Sequence, residues 1–205
     1  EKIRKIPNGV DIYSDRWELS SGKERRAICI TKINELPNKG IDILLEAWKI
    51  LAQKHNNPAK LWIFGAGDPG LFSRIVADFK IEKHVHFAGF TKDVRQSLLV
   101  SCLFVLPSRG EGLSNALLEA MSVGIPCVAT DISGNQDLIQ HGKNGLLVPS
   151  EDPEALAGAV AYMLDNPDKA KDMGYSARRT IEERYTISRV ADKYVELYRE
   201  LVEKC

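Results

Sequence analysis

The chain has no surplus of charge of either sign: 28 Lys and Arg stand against 28 Asp and Glu in 205 residues. A protein that holds nucleic acid through bulk positive charge carries a basic excess, so the balance argues against that class and leaves room only for a local basic patch. Cysteine is scarce. Cys29, Cys102 and Cys127 lie in or beside short apolar runs, and Cys205 is the last residue. No two are spaced like metal ligands, and four in a chain of this length make no disulfide scaffold, so buried free thiols in a reducing compartment are expected. There is no secretory signal pattern and no apolar run near twenty residues, which predicts no membrane span. Internal repeats, low-complexity segments and an Asp-x-Asp pair that could hold a metal are also missing.

What is present is a core-forming composition, 44% hydrophobic, arranged as short apolar runs alternating with helix-length amphipathic ones. Strands are expected at Ala27–Lys32, Lys60–Phe64, His84–Ala88, Cys102–Leu106, Pro126–Thr130 and Gly145–Val148. Their runs are continuous rather than alternating, the pattern of strands covered on both faces. Helices are expected at Ile41–Lys54, Leu71–Phe79, Asp93–Val100, Asn115–Val123 and Gln136–Gln140, then at Pro153–Leu164, Asp168–Arg184 and Ile187–Glu203. Strict alternation of strand and helix predicts an α/β, doubly wound Rossmann-like parallel sheet of about six strands with helices on both faces and a C-terminal helical tail. The opening "EKIRKIPNGVDIYSD" has no methionine, and the chain reads as a piece of a longer protein. Ile3 and Ile6 look like part of a strand, followed by a turn at Pro7-Asn8-Gly9. The polar stretch Ser14 to Arg26 looks like a linker. The expected division is an interdomain segment over 1–26, a Rossmann-like domain over 27–185 and a C-terminal helix over 186–205.

In such sheets ligands gather at the carboxyl ends of the strands, so the loops after each strand carry the chemistry. One of them spells Gly65-x-Gly67-x-x-Gly70, the letters of the dinucleotide fingerprint. It follows the second strand rather than the first, Pro69 occupies the turn, and the next strand ends in Ala88-Gly89-Phe90 with no acid for a ribose. The reading is a tight glycine turn facing the cleft, with Asp68 or Pro69 opening a helix and Gly65 close enough to border a ligand.

The loop after "CLFVLPS" is more informative. It runs Ser108-Arg109-Gly110-Glu111-Gly112-Leu113-Ser114-Asn115, and Glu119 follows with seven residues between the two glutamates. Ser114 is a good N-cap, and the free N–H groups of the turn after it make an anion site suited to phosphate. Glu119 lies about 7–8 Å further along the helix axis, with its side chain leaning back toward the N-terminus. An ionised carboxylate accepts from both hydroxyls of a vicinal diol. A ribose at Glu119, a diphosphate at the helix start and a sugar at Glu111 would together span a nucleotide sugar. A solvated surface glutamate at 119 is the alternative.

These residues resemble the nucleotide-sugar-binding C-terminal domain of retaining GT-B glycosyltransferases, the GT4-like group 1 family. The segments "IPNGVD", "KGIDILLEAW", "WIFGAGDP", "VHFAGF", "FVLPSRGEGLSNALLEAMSVGIPCVATD", "GLLVP" and "DPEALAGAV" stand in the family's order over nearly the whole chain. The resemblance implies that Glu119 binds ribose hydroxyls and Glu111 lies beside the donor sugar. It also implies that Gly112, Leu113, Ser114 and Asn115 meet sugar and phosphates, that Lys39 binds phosphate, and that Phe90 and Thr91 border the base. Thr31-Lys32 stands where the family usually has Gly-Arg, and Lys32 supplies charge without the planar fork of arginine. Leu113-Ser114 replaces Phe-Gly or Phe-Pro, and Asp137 replaces a glutamate. Arg109 is read as a solvent-facing neighbour outside the catalytic set. His84 and His86 are read as surface or packing residues, and the basic residues of 168–184, Lys169, Lys171, Arg178 and Arg179, as a solvated face.

The resulting expectation is transfer of a hexosyl unit from a UDP- or GDP-sugar to a glycan, lipid-linked or small-molecule acceptor, with retention. Glu111, Lys39 and Lys32 are the catalytic set, no metal or cofactor is needed, and the acceptor contacts come from a missing N-terminal domain, so this piece alone should be inactive. The location is cytoplasmic, with the inner face of the membrane and a peripheral contact there as options, and no nucleic-acid partner is expected. A dinucleotide-dependent oxidoreductase domain and a non-catalytic interaction module are the rival readings.

Overall fold

The computed structural model describes residues 3–18, 25–33 and 38–203. Six strands form one sheet: β1 (Arg26–Ile30), β2 (Lys60–Phe64), β3 (Val85–Gly89), β4 (Leu103–Leu106), β5 (Cys127–Thr130) and β6 (Leu146–Val148). Every pairing is parallel, and the spatial order is β3-β2-β1-β4-β5-β6. This is the doubly wound arrangement, and its order reverses between β1 and β4, where a crevice opens at the strands' carboxyl ends.

The continuous apolar runs have a direct structural reason. In β1, Ala27 and Cys29 face one core and Ile28 the other; in β4, Leu103 and Val105 face the first while Phe104 and Leu106 face the second. Side chains alternate across a strand, so a sheet buried on both faces needs apolar residues at every position. The first core is closed by α1 (Ile41–Lys54), α2 (Gly70–Phe79) and α6 (Pro153–Asp165). The second is closed by α3 (Val94–Leu99), α4 (Asn115–Val123) and the later turns of α7 (Pro167–Arg184). The thiols of Cys29 and Cys127 are buried and that of Cys102 nearly so, with burial pushing Cys29 up to about 12 and Cys102 up to about 11. Cys205 lies outside the described residues.

Three local expectations are corrected. The helix expected at Gln136–Gln140 forms earlier, as α5 (Ser133–Gln136). Asn135 is fully buried and its amide donates to the Thr130 carbonyl, which anchors the turn ahead of the expected start. Ile3 and Ile6 lie in no strand, and Ile3 is 88% exposed. Val10, further on, makes an isolated bridge with Thr186.

Arg178 is the third correction. It is not on a solvated face but 5% exposed, and its guanidinium donates to the carbonyls of Tyr13, Asp15 and Ser122 and to Glu182. It straps the start of the chain to α4 and α7. Trp17, inside the stretch expected as linker, is buried, and its indole N–H donates to the Ser101 carbonyl. Trp17, with Val10 and Ile12, therefore packs on the second core, while 19–24 lie outside the described residues. The last helix, α8 (Ile187–Val202), buries only Val190 and leaves Tyr194, Val195, Tyr198, Leu201 and Val202 at the surface. No helix among the described residues is long and apolar enough to cross a membrane.

Candidate active site

A cleft of about 460 Å³ lies at the β1/β4 reversal. The ends of β1 and β2 form its floor through Ile30, Thr31, Lys32, Phe64 and Gly65, and Phe90 and Thr91 form one rim. Glu111 and the run Leu113–Ala116 close the opposite side. β1 ends at Ile30, two residues earlier than expected, so Thr31 and Lys32 turn into the cleft instead of continuing the strand.

The position of Glu111 is set by its neighbours. Its Oε1 accepts from Lys39 Nζ at 2.9 Å and from Ser108 Oγ at 2.9 Å. Lys39 and Glu111 are both largely shielded, at 18% and 14% side-chain exposure, so this pair is less screened than a surface bridge. Neither Gly110 nor Gly112 adopts a left-handed backbone, so the bend around Glu111 does not depend on glycine freedom at those sites. The loop is instead pressed from outside. A Cβ on Gly134 would come within 1.9 Å of the Gly112 carbonyl oxygen, so only glycine lets α5 sit against the Glu111–Gly112 backbone.

Gly40 has the same significance for Lys39. It is the N-cap of α1 at φ 61, and a Cβ there would meet the Pro107 carbonyl oxygen at 2.0 Å. The loops after β1 and β4 thus touch through Gly40–Pro107, Lys39–Glu111 and an Arg109 N–H bond to the Asn38 carbonyl at 2.7 Å. Residues 34–37, between Lys32 and Lys39, lie outside the described residues.

α4 runs from Asn115 to Val123, as expected, and Ser114 caps it by accepting from the Leu117 N–H at 3.4 Å. The first-turn residues Asn115 and Ala116 line the cleft, which brings the positive end of the helix to it. Glu119 does not line the cleft itself. It lies beyond the cleft, in a hollow of about 380 Å³ with Lys92, Val94 and Ser122, and in a second of about 470 Å³ with Pro7–Val10 and Tyr194. The three depressions adjoin: Val94 borders the cleft and the first hollow, Asn115 the cleft and the second, and Glu119 both hollows. Together they form a trough around the first turns of α4. Burial holds the Glu119 carboxyl above the usual carboxylate range.

Lys32, Lys39, Gly65, Phe90, Thr91, Glu111, Leu113, Ser114 and Asn115 therefore meet at one cleft, while Gly112 faces away toward Gly134 and Glu119 sits further along the trough. Phe90 is 73% exposed at the rim. Asp137 pairs with Lys5 instead of entering the cleft. His86 packs against Trp62 at 4.2 Å between ring centroids, a packing role.

Sequence reasoning missed Ser108, Gly134 and Arg109. Ser108 precedes the glutamate by three residues in the loop after β4 and could have been found by that spacing; nothing local marks Gly134. Arg109 does not face solvent. Its guanidinium forms a two-pronged bridge to Asp42 at 2.8 and 2.7 Å, and its Nε donates to Glu151 at 2.8 Å. These bonds raise Arg109 further above its ordinary range and hold Asp42 below the usual carboxylate range.

Residues 24–166 match the model of the family described as Glycosyl transferases group 1. The UDP-Gal:alpha-D-GlcNAc-diphosphoundecaprenol alpha-1,3-galactosyltransferase of Escherichia coli is 30% identical over 98% of this chain and 55% of its own length. A GDP-mannose-dependent alpha-(1-6)-phosphatidylinositol monomannoside mannosyltransferase of Mycobacterium tuberculosis is 26% identical over 95% of this chain and 55% of its own. S. aureus TarM, solved as a point mutant in complex with Fondaparinux, alpha-GlcNAc-glycerol and UDP, has a TM-score of 0.88 at 28% identity, over 97% of this chain and 40% of its own. The chain spans about half the length of the curated relatives it matches.

Proposed function

The chain belongs to the group 1 glycosyl transferases, and from that premise we propose that it is the donor-binding domain of an enzyme that transfers a hexosyl unit from a UDP- or GDP-sugar with retention. The acceptor is a glycan, a lipid-linked saccharide or a small molecule, and its contacts come from a second domain. The observation that carries this reading is the Lys39–Glu111–Ser108 cluster beside the amino end of α4, in a cleft at the sheet's reversal point.

The trough supports one direction for the donor. The diphosphate lies against the amides after Ser114 and beside Lys39 and Lys32. The ribose extends toward Glu119, whose carboxylate accepts from both hydroxyls, and the base borders Phe90 and Thr91. The hexose lies at Glu111. Among the described residues both bonds to Glu111 fall on Oε1, which leaves Oε2 for a sugar hydroxyl.

As the glycosidic bond breaks, negative charge grows on the leaving diphosphate. Lys39, Lys32 and the helix terminus bind that charge more strongly in the transition state than in the ground state, which is what lowers the barrier. Glu111 orients the sugar and need not attack it. With the positive charge supplied in this way, the reading calls for no resident metal or cofactor.

The rival dinucleotide reading is weakened by the glycine turn. The Gly70 N–H, which would meet a pyrophosphate, is already bonded to the Asp68 carboxylate at 2.8 Å, and that negative charge would repel the ligand. Calorimetric titration of the chain with UDP, GDP and NAD tests the proposal. Binding of UDP or GDP without NAD is expected; binding of NAD alone would contradict it.

A further inference from the structure

We propose that Arg109 is a positioning residue for glycosyl transfer, fixing the placement of Glu111 relative to Lys39 by tying the loop after β4 to the start of α1 and to the turn before α6. The inference rests on the donor-site reading above.

Arg109 sits between Ser108, which bonds Glu111, and Glu111 itself. It is not among the residues lining the cleft, and its guanidinium is turned to Asp42 and Glu151. Its contacts run to the cleft's supports. The fork meets both oxygens of Asp42, in the first turn of the helix that Lys39 precedes, and Nε meets Glu151. Its own backbone N–H bonds the carbonyl of Asn38, next to Lys39. Glu151 holds a left-handed backbone at φ 65, a conformation that favours glycine, in the turn that Arg109 reaches. The loop after β4, the start of α1 and the turn before α6 are thereby joined through one residue.

Magnitude separates positioning from simple stabilisation. Asp42 and Glu151 are 41% and 62% exposed, and ion pairs with such exposed partners contribute little to stability. The two-pronged geometry nevertheless limits the loop to one arrangement, because a planar guanidinium meets a carboxylate in a fixed orientation. Lysine can supply the charge but not that orientation. Displacement of a reacting group by about 1 Å can cost about 100-fold in rate, so the effect of losing Arg109 should fall on turnover rather than on folding.

The test is a double-mutant cycle in the whole protein. Turnover is read as release of UDP or GDP from a panel of UDP- and GDP-sugars in the presence of acceptor. Arg109→Met is expected to lower kcat by about 10- to 100-fold, with donor KM changed by less than about threefold and Tm nearly unchanged. Arg109→Lys should recover only part of the loss. In a Glu111→Gln background, Arg109→Met should cost less than about twofold, because a residue acting through Glu111 has nothing left to position. Losses that multiply, a higher KM at unchanged kcat, or a drop in Tm that accounts for the lost activity would each overturn the proposal. If Glu111→Gln itself leaves turnover intact, or no donor is turned over by the unaltered protein, the donor-site reading falls and the inference falls with it.

Discussion

Glu111 is held from several sides, by Lys39, by Ser108 and by the backbone of α5 pressing at Gly134, whereas Glu119 lies half-buried between two hollows with its carboxyl pushed upward by burial. One carboxylate is already bonded to the groups around it before any donor arrives. The other bears a desolvation cost that hydroxyl donors would relieve. The loop before α4 thus carries a preorganised carboxylate, and the helix itself a less satisfied one. Preorganisation is what a transition state requires, and an incompletely satisfied carboxylate is a ready acceptor for a diol.

Breaking the first side should have the largest effect. Glu111→Gln in the whole protein is expected to lower kcat on the order of 100-fold, while UDP affinity stays within a few-fold, because the nucleotide is held elsewhere. Steady-state kinetics together with calorimetry checks this split. Breaking the second side should reverse it. Glu119→Ala is expected to weaken UDP binding by about 10- to 100-fold, the equivalent of roughly 1.5–3 kcal/mol for hydrogen bonds to a charged group, with a much smaller change in kcat at saturating donor.

A smaller effect sharpens the contrast in the unliganded chain. The folded state holds the Glu119 proton more tightly than the unfolded state does, so this group makes stability fall as pH rises from the ordinary carboxyl value through the raised folded one, and the loss is complete above that. Glu119→Gln should remove that slope and slightly raise Tm at neutral pH, as thermal unfolding across pH 4 to 8 would show. The smallest effect is expected from chelation: EDTA should leave turnover unchanged, because Lys39, Lys32 and the helix terminus supply the charge. A loss restored by a divalent cation would contradict that part.

Much of this architecture can be read from the chain itself. The doubly wound fold follows from apolar runs with no alternation, and every helix but α5 lies within one residue of its expected bounds; Ser114 marks the start of α4 and Pro153 and Pro167 those of α6 and α7. The clustering of Lys39, Glu111 and the amino end of α4 follows from reading only the loops after strands. What escaped was non-local. Gly134 matters because a carbonyl from another loop lies where its Cβ would be. Arg178 and Arg109 look like surface cations in sequence, and only their partners, 163 and 67 residues away, show otherwise. Helix spacing aims Glu119 toward the amino end of α4 but not around its side, so the separate hollows appeared only in three dimensions.

The central claim is that a nucleotide sugar lies along the trough around α4, from Glu119 to Glu111. The crystal structure of the chain bound to UDP, or to GDP if titration selects it, tests this most directly. The account predicts ribose hydroxyls within hydrogen-bond distance of the Glu119 carboxylate and the diphosphate on the amides after Ser114 beside Lys39. A nucleotide seated with its phosphates on the Gly65–Gly70 turn, or with its ribose away from Glu119, would contradict it.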